Sequence, residues 1–225
     1  MVRIVFFDID GTLIHTLGAG VRAFSQTFSE VFNLPDGTEK MNFNGRTDVS
    51  LVREFFDLNH VEATPANFER FFQGYYARLK IQMQNCSGDV AEGVLEFLND
   101  LESQPQPPVI ALLTGNVRHG AEIKLSQFDL WKRFPFGGFA DDSENRDLIA
   151  VAAHKRGNEY LKRTLRGDEM IVVGDTPLDI KCGRAIGAKV IAVATGNFSV
   201  EKLAQYKPDW AVKDLGHLKA KDVCV

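Results

Sequence analysis

Short apolar runs that alternate with helical patterns most constrain the fold of this chain of 225 residues. The four clearest runs are predicted strands and cover residues 3–8, 109–114, 170–175 and 190–194. A weaker run lies near residues 136–140, and Trp210–Val212 is a candidate edge strand. Strands that alternate with helices pair in parallel. The sequence therefore predicts an α/β fold whose core is a doubly wound, Rossmann-like parallel sheet.

Residues 16–87 interrupt this alternation. They carry no convincing strand, and their apolar residues recur at helical spacing instead. The two helical stripes consist of Phe24, Phe28, Val31 and Phe32, and of Phe68, Phe72, Tyr75, Leu79 and Met83. We therefore predict a small, all-helical domain at residues 16–87, inserted into a core domain of residues 1–15 and 88–225. It would lie over the carboxyl edge of the sheet, where α/β folds bind ligands.

Charge and cysteine content narrow the possible partners and location. The formal net charge is −4 and no basic stripe stands out, so nucleic-acid binding is not expected. No apolar run approaches the length of a membrane span, so no membrane partner is expected. Cys86, Cys182 and Cys224 fit neither a disulfide framework nor a thiolate metal site. We therefore expect a reducing, cytoplasmic location, and the oligomeric state stays open between monomer and homodimer.

Two aspartates, Asp8 and Asp10, lie at the end of the first predicted strand and are followed by a Gly–Thr turn. Alternate residues of a strand point to the same side, so both carboxylates reach the edge of the sheet together. Adjacent carboxylates repel each other unless a cation lies between them or they share a proton. The pattern predicts a functional site built on these two carboxylates. The alternative is a strand that simply ends in an Asp-rich turn.

The second long strand ends in Thr114, Gly115 and Asn116, and a helix is predicted to follow. Backbone N–H groups at the start of a helix carry partial positive charge and attract anions. The Thr114 hydroxyl can donate a hydrogen bond to a phosphoryl oxygen. These residues predict an anion site, and the simpler alternative is that Asn116 only caps the helix.

A third strand ends in Asp175, and Asp179 lies one helical turn further along the chain. Asp175 ends its strand as Asp8 ends the first one. Carboxylates from separate strand ends can converge on one hard divalent ion, and oxygen-only ligation suits Mg²⁺. The alternative is that Asp175 caps the helix that follows it.

A phosphoryl group, several aspartates and one Mg²⁺ leave excess negative charge, so the site needs a cation. Arg146 is the best candidate, because it lies in the first turn of a predicted helix, where a cation meets the positive end of the dipole. A residue that goes against a local structural preference, as this one does, is a candidate functional residue. The alternatives are a surface arginine paired with Glu144 or Asp142, and a different cation, Lys124, in the middle of a helix.

Taken together, four motifs of this chain resemble those of the haloacid dehalogenase-like (HAD) phosphohydrolases. They are Asp8-x-Asp10-Gly-Thr, Thr114-Gly-Asn, Arg146, and Gly-Asp175-Thr-x-x-x-Asp179. The resemblance covers the whole chain and is closest to the phosphoglycolate-phosphatase-like group, and the insertion at residues 16–87 resembles the helical C1 cap of that family. The chain departs from the family at Arg146, where lysine is usual. An arginine keeps the charge and can bind phosphate oxygens bidentately.

The resemblance implies a Mg²⁺-dependent phosphatase that hydrolyses a small-molecule phosphomonoester, such as phosphoglycolate or another metabolite, through an aspartyl-phosphate. Asp8 would be the nucleophile, and Asp10 the general acid and base. The phosphate would be bound by Thr114, Gly115, Asn116 and Arg146. The metal ligands would be Asp8, the backbone carbonyl of Asp10, and Asp175. Asp179 would orient Arg146 or a metal-bound water.

The resemblance also bears on the leaving group and on competing functions. It implies that Asp10 favours phosphoester hydrolysis, because the dehalogenase branch lacks this acid. Arg46 lies in a loop, residues 44–48, that reaches into the site in related caps, and it would suit an acidic leaving group. The alternative is a capping turn with a solvated arginine. Two other functions stay open: a phosphosugar mutase of the same fold, and a non-catalytic protein that binds a phosphate ligand.

Overall fold

The computed structural model describes residues 1–35, 38 and 41–224. Its strands are β1 (Ile4–Phe7), β2 (Ile14–His15), β3 (Asp89–Val90), β4 (Val109–Leu113), β5 (Gly137–Gly138), β6 (Met170–Gly174), β7 (Lys189–Val193) and β8 (Trp210–Val212). Its α-helices are α1 (Ala19–Phe32), α2 (Asp48–Leu58), α3 (Pro65–Gln84), α4 (Val94–Glu102), α5 (Arg118–Ser126), α6 (Arg146–Leu161), α7 (Pro177–Ala185), α8 (Val200–Ala204) and α9 (Ala220–Val223). Within this described part, no helix has both the length and the apolar character that a membrane span requires.

Six strands form one sheet in the order β5–β4–β1–β6–β7–β8, and every neighbouring pair is parallel. Helices cover both faces of the sheet, and alternate side chains of β1 pack against opposite layers. Val5 and Phe7 belong to the apolar cluster that includes Phe97 of α4, whereas Phe6 packs in the cluster that includes Ile149 of α6. The predicted doubly wound α/β sheet is confirmed.

The remaining strands differ from the prediction in detail. The weak run at 136–140 contributes only the two residues of β5, where the backbone packs tightly against α6. A Cβ atom on Gly138 would lie 2.6 Å from the carbonyl oxygen of Ile149. β2 and β3 form a separate antiparallel pair that the sequence did not predict, because strands of two residues show no periodicity.

The helices α1, α2 and α3 all lie within residues 16–87, and no strand occurs among the described residues of that range. They share an apolar cluster that is distinct from those beside the sheet and that also includes Val117 and Ala140 of the rest of the chain. Phe28 of α1 stacks on Phe55 of α2 with 3.4 Å between the ring centroids. Phe24 of α1 lies against Tyr75 of α3, with 4.6 Å between the centroids. The aromatic stripes therefore form a packed helical core, as the sequence predicted.

The apolar stripe of α3 lies one position away from the predicted one at its N-terminal end. Phe71 is fully buried, whereas Phe68 and Phe72 are half-buried at the edge of the same cluster. Both Phe71 and Phe72 fit helical spacing with Tyr75, so the sequence could not choose between them.

This difference gives a matched test of the helical core. We expect Phe71→Ala to lower the free energy of unfolding by about 3–5 kcal/mol, because the buried ring is lost and a cavity remains. Phe72→Ala on the same helix should cost clearly less, since its ring is only half-buried. Chemical denaturation of both variants measures the two losses. Equal losses would contradict the burial of Phe71.

Candidate active site

The carboxyl ends of the three central strands bring three of the predicted site residues together. Asp8 follows β1, Thr114 follows β4 and Asp175 follows β6. The three side chains are buried, because neighbouring parallel strands end at the same edge of the sheet and the helical insertion lies over it. Asp8 and Asp175 line the floor of a cavity of about 260 Å³, together with Gly115 and Asn116, which follow Thr114 in the chain. α1, α2 and α3 contribute residues to its roof.

The chain turns sharply after Asp8, and Asp10 also faces the cavity. Gly11 has a φ of 79°, in the left-handed region that favours glycine. A Cβ atom on Gly11 would lie 2.7 Å from Asp175 Oδ2. Thr12 Oγ1 donates a hydrogen bond to Asp175 Oδ1 at 3.2 Å. The sequence Asp-x-Asp-Gly-Thr is therefore one structural unit, in which the glycine permits the close approach and the threonine holds a third carboxylate.

Asn116 does not cap the following helix. α5 begins at Arg118, and Val117 is the residue that precedes its first turn. The Asn116 side-chain Nδ2 donates instead to Thr114 Oγ1 and to Asp10 Oδ2, both at 2.9 Å. The capping alternative is therefore wrong, because the amide links the end of β4 to the Asp10 carboxylate.

Arg146 is the first residue of α6, and its side chain is buried. Its Nη2 pairs with Asp179 Oδ1 and lies 3.7 Å from Asp8 Oδ1, and its Nη1 donates to the Gly45 carbonyl at 3.1 Å. Burial by itself would lower the pKa of the guanidinium, but the charges of Asp179 and Asp8 raise that pKa above its ordinary value. Arg146 therefore stays charged beside Asp8.

The two surface carboxylates that were alternative partners of Arg146 bind other arginines. Glu144 accepts from Nη2 and Nε of Arg53 at 2.6 Å and 2.8 Å. Asp142 accepts from both terminal nitrogens of Arg156, each at 2.6 Å. The interpretation of Arg146 as a surface arginine is therefore wrong.

Asp175 does not cap α7, because Thr176 is the residue in that position. Asp179 Oδ2 accepts from the Thr176 backbone N–H at 3.0 Å and from its hydroxyl at 2.6 Å. The other oxygen of Asp179 accepts from Arg146. Both carboxylate oxygens of Asp179 are therefore engaged by protein donors, whereas Asp175 faces the cavity.

Asp8, Asp175 and Asp179 form a buried acidic cluster. Each offers a carboxylate oxygen, and these oxygens all lie within 4.8 Å of one another. Burial, and after it the charge of Asp179, raises the pKa of Asp8 to about 7 and that of Asp175 to about 8. Oxygen-only ligands of this kind suit a hard divalent cation, which would offset their mutual repulsion.

Lys124 of α5 is a site residue whose contacts the sequence analysis missed. Its Nζ donates to Asp10 Oδ2 and to Asn116 Oδ1, each at 2.6 Å. Burial would lower the pKa of Lys124, but the charges of Asp10 and Asp48 raise it, so the ammonium stays charged. The signal in the sequence was its position three residues after the buried Ala121, on the inward side of the helix.

Asp48, the first residue of α2, is a second residue that the sequence analysis did not single out. Its backbone N–H donates to the Gly115 carbonyl at 2.7 Å, and its Oδ2 accepts from the Val117 N–H at 2.9 Å. Burial raises the pKa of Asp48 to about 7, although the charge of Lys124 acts in the opposite direction. These bonds therefore join the start of α2 to the segment after β4, for which the sequence predicts an anion site.

Arg46 lies in the loop at residues 44–48, beside the cavity. Its guanidinium pairs with Glu54 and donates to the Ser50 carbonyl, both on α2. This arginine is therefore neither fully solvated nor free in the structure. Its contact with an acidic leaving group stays a prediction.

Comparison with known proteins identifies the family. Residues 5–193 match the family model of the haloacid dehalogenase-like hydrolases. Because this match spans most of the chain, the protein belongs to the haloacid dehalogenase-like hydrolase family. The predicted family and the predicted enzyme class, a hydrolase, are confirmed.

Individual relatives cover nearly the whole chain. The chain is 26% identical over 224 residues to the pyrophosphatase PpaX of Bacillus cereus, covering 96% of this chain and 94% of the relative. It is 25% identical over 232 residues to the phosphoglycolate phosphatase of Haemophilus influenzae, covering 96% of each. The crystal structure of a β-phosphoglucomutase from Clostridium difficile superimposes with a TM-score of 0.75 at 16% identity, covering 99% of this chain and 96% of that one. This last likeness shows a shared fold.

Proposed function

We propose that this protein is a Mg²⁺-dependent phosphatase that hydrolyses a small-molecule phosphomonoester through an aspartyl-phosphate on Asp8. The observation that carries the proposal is the placement of Asp8 between a buried cation, Arg146, and a second carboxylate, Asp175, at the floor of one cavity. Membership of the family, and relatives named as a pyrophosphatase and a phosphoglycolate phosphatase, support the same class of reaction.

The reaction proceeds in two steps. In the first, Asp8 attacks phosphorus in line with the leaving oxygen, the bond from phosphorus to that oxygen breaks, and Asp10 gives the oxygen a proton. In the second, Asp10 takes a proton from water, whose oxygen attacks the aspartyl-phosphate and releases phosphate and Asp8. The Asp10 side chain is 40% exposed to the cavity, against 8% for Asp8. This exposure allows Asp10 to meet both the leaving group and the water.

The phosphoryl oxygens are bound by neutral donors on one side and a cation on the other. The Thr114 hydroxyl and the backbone amides of Gly115 and Asn116 would donate hydrogen bonds, the Asn116 amide in exchange for its bond to Thr114 Oγ1 at 3.2 Å. Arg146 would neutralise charge as the transition state forms. Asp179 holds the Arg146 guanidinium in place and is itself held by Thr176.

The carboxylates at the cavity floor fit Mg²⁺. Asp8 and Asp175, with the backbone carbonyl of Asp10, would hold the ion, because both oxygens of Asp179 already accept from Arg146 and Thr176. The raised pKa of both carboxyls supports this assignment, since a bound cation would favour their ionised forms. When bound, Mg²⁺ supplies positive charge that offsets the repulsion between the anionic substrate and the carboxylates.

We further propose that residues 16–87 act as a cap domain on a core domain of residues 1–15 and 88–225. The apolar cluster formed mainly by α1, α2 and α3, and the position of these helices over the cavity, support this division. The cap would select the leaving group, and Arg46 would exchange Glu54 for an acidic one.

Phosphate release from a panel of phosphoesters, with and without Mg²⁺, tests the proposed reaction. The panel holds phosphoglycolate, sugar phosphates, nucleotides and pyrophosphate. We expect at least one small ester to release phosphate in a Mg²⁺-dependent way, and the preferred ester names the leaving group. Absence of release from every ester, with Mg²⁺ binding measured by calorimetry, would contradict the proposal.

A phosphosugar mutase is the second candidate, because the chain shares its fold with a β-phosphoglucomutase. A mutase would isomerise a sugar phosphate without net release of phosphate, so the same panel is also assayed for isomerisation. A non-catalytic phosphate-binding protein is the third candidate and would show neither reaction. The presence of Asp8, Asp10 and Asp175 argues against it.

A further inference from the structure

Lys124 carries a buried charge that has no role in the reaction steps described above. Its side chain is only 6% exposed. Removing an ammonium group from water costs several kcal/mol unless close partners compensate. Its partners are Asp10 and Asn116 at 2.6 Å, in the wall of the cavity. The ammonium therefore belongs to the site, and its role follows from what it holds.

We propose that Lys124 is a positioning residue for Asp10, fixing the carboxylate so that it can protonate the leaving group. The proposal rests on the proposed function, in which Asp10 is the general acid. Two donors, Lys124 Nζ at 2.6 Å and Asn116 Nδ2 at 2.9 Å, both bind Asp10 Oδ2. Oδ1 of Asp10 is therefore the oxygen left to carry the proton toward the leaving group.

Packing alone does not fix the orientation of Asp10. Its side chain is 40% exposed, whereas that of Asp8 is 8% exposed. The two hydrogen bonds to Oδ2 supply the constraint that packing lacks. An acid displaced by a fraction of an ångström transfers its proton less efficiently, because general acid catalysis requires hydrogen-bond contact with the accepting oxygen.

Lys124 also fixes the Asn116 amide. A lysine ammonium can only donate, so the amide oxygen must face Lys124 and the amide nitrogen must face Asp10 and Thr114. The observed bonds follow this pattern: Nζ donates to Asn116 Oδ1, and Nδ2 donates to Asp10 Oδ2 and Thr114 Oγ1. Lys124, Asn116 and Asp10 therefore form a closed triangle of hydrogen bonds.

The two buried cations of the site have different partners. Arg146 lies 3.7 Å from Asp8 and pairs with Asp179, so it would lie beside a phosphoryl group attacked by Asp8. Lys124 binds Asp10 and Asn116 from the side of α5, which places it beside the acid. This division favours a positioning role for Lys124 over the phosphate-binding role considered from the sequence.

The dependence of catalysis on the leaving group separates these two roles. Acetate leaves acetyl phosphate as a stable anion and needs no proton, whereas an alcohol leaves an alkyl phosphate poorly without one. The ratio kcat/KM reports only the steps up to formation of the aspartyl-phosphate, so slow hydrolysis of that intermediate does not affect it. The experiment compares kcat/KM for acetyl phosphate with kcat/KM for the alkyl phosphate that the panel shows to be cleaved fastest, both with Mg²⁺ present.

For Lys124→Met, we expect kcat/KM to fall by about 10²-fold with the alkyl phosphate, the lower end of the range for general acid catalysis. With acetyl phosphate it should fall by less than about threefold. Asp10→Asn should show the same contrast, and adding Lys124→Met to it should change little further, because residues that act as a unit are not additive. Lys155→Met makes the same chemical change at an exposed position of α6 and should leave both values unchanged.

Partial unfolding cannot produce the expected contrast, because it lowers both values by the same factor. Lys124→Gln gives a second variant with the same expected contrast. Equal losses with the two substrates, or no loss with either, would overturn the positioning role. Failure of the proposed function is seen separately, as phosphate release that persists in Asp8→Asn, and it would remove the basis of this role as well.

Discussion

Asp8→Asn is expected to lower kcat for phosphate release by about 10⁴-fold or more, because loss of a covalent nucleophile removes the whole two-step route. Asparagine has nearly the shape of aspartate but cannot form the aspartyl-phosphate. The variant therefore tests the chemistry while leaving the cavity intact. Initial rates with the best ester of the panel measure the loss, and mass spectrometry after rapid quenching detects the phosphorylated protein in the wild type alone.

Measuring the stability of Asp8→Asn distinguishes a loss of catalysis from a loss of folded protein. Burial raises the pKa of Asp8, so its ionised form is costly in the metal-free protein. Near pH 8 and without Mg²⁺, Asp8→Asn should therefore be at least as stable as the wild type. Asp168→Asn removes an exposed carboxylate that pairs with Arg166 and should keep the wild-type rate. Near-wild-type turnover in Asp8→Asn would refute the assignment of Asp8 as the nucleophile.

The placement of Asp8, Thr114 and Asp175 could be predicted because it depends on one rule. Each residue follows a strand of a parallel sheet, and the ends of neighbouring strands meet at one edge. The strand order β4–β1–β6 makes those three ends adjacent. Arg146 could be placed because a cation in the first turn of a helix contradicts the helix dipole and so calls for another explanation.

The contacts of Lys124, and the role of Asp48, escaped the sequence analysis because the partners of both residues come from distant parts of the chain. Lys124 meets Asp10 across 114 positions, and Asp48 meets Val117 across 69. No spacing rule connects such residues, and only tertiary packing brings them together. Lys124 meets Asp10 within the core, whereas Asp48 meets Val117 because the helical insertion packs on the core. A lysine on the inward side of α5 was a local sign of a buried charge, but it did not name the partner.

Prediction from the sequence has a second limit, which is seen in the choice between Phe71 and Phe72 and in the pair β2 and β3. Adjacent phenylalanines give helical patterns of equal quality, so tertiary packing decides which ring is buried. The two-residue strands β2 and β3 flank the helical insertion and are set by their pairing across it, Ile14 with Val90 and His15 with Asp89. Their own sequences are too short to indicate a strand.

The stability of the metal-free protein is expected to fall as pH rises from about 4 to about 8, and Mg²⁺ is expected to reverse most of the fall. In the unfolded chain Asp8 and Asp175 titrate near 3.8, whereas in the folded protein burial raises their pKa to about 7 and about 8. Within that window the folded protein holds more protons than the unfolded chain, so its free energy of unfolding decreases with pH. Each unit of pKa difference corresponds to about 1.4 kcal/mol.

Mg²⁺ should oppose this loss of stability with rising pH, because it favours the ionised carboxylates. Its binding should release protons between pH 5 and 7, and it should add about 2.7 kcal/mol of stability at a concentration of about 100 times Kd. Chemical unfolding at several pH values, with Mg²⁺ or with EDTA, measures both effects. Asp175→Asn removes a proposed ligand and should lose the response to Mg²⁺.

Asp48→Asn is the matched control for the metal effect. The pKa of Asp48 is also raised by burial, to about 7, so this carboxyl contributes to the same loss of stability with pH. Its oxygen Oδ2 accepts from the Val117 N–H beside Lys124, on the α5 side of the cavity and outside the acidic cluster. Asp48→Asn should therefore remove only its own share of the pH dependence, leaving that of Asp8 and Asp175, while keeping the full response to Mg²⁺. Equal stabilisation of Asp175→Asn and the wild type by Mg²⁺ would place the ion elsewhere, because an ion held by Asp175 cannot stabilise a protein from which that ligand has been removed.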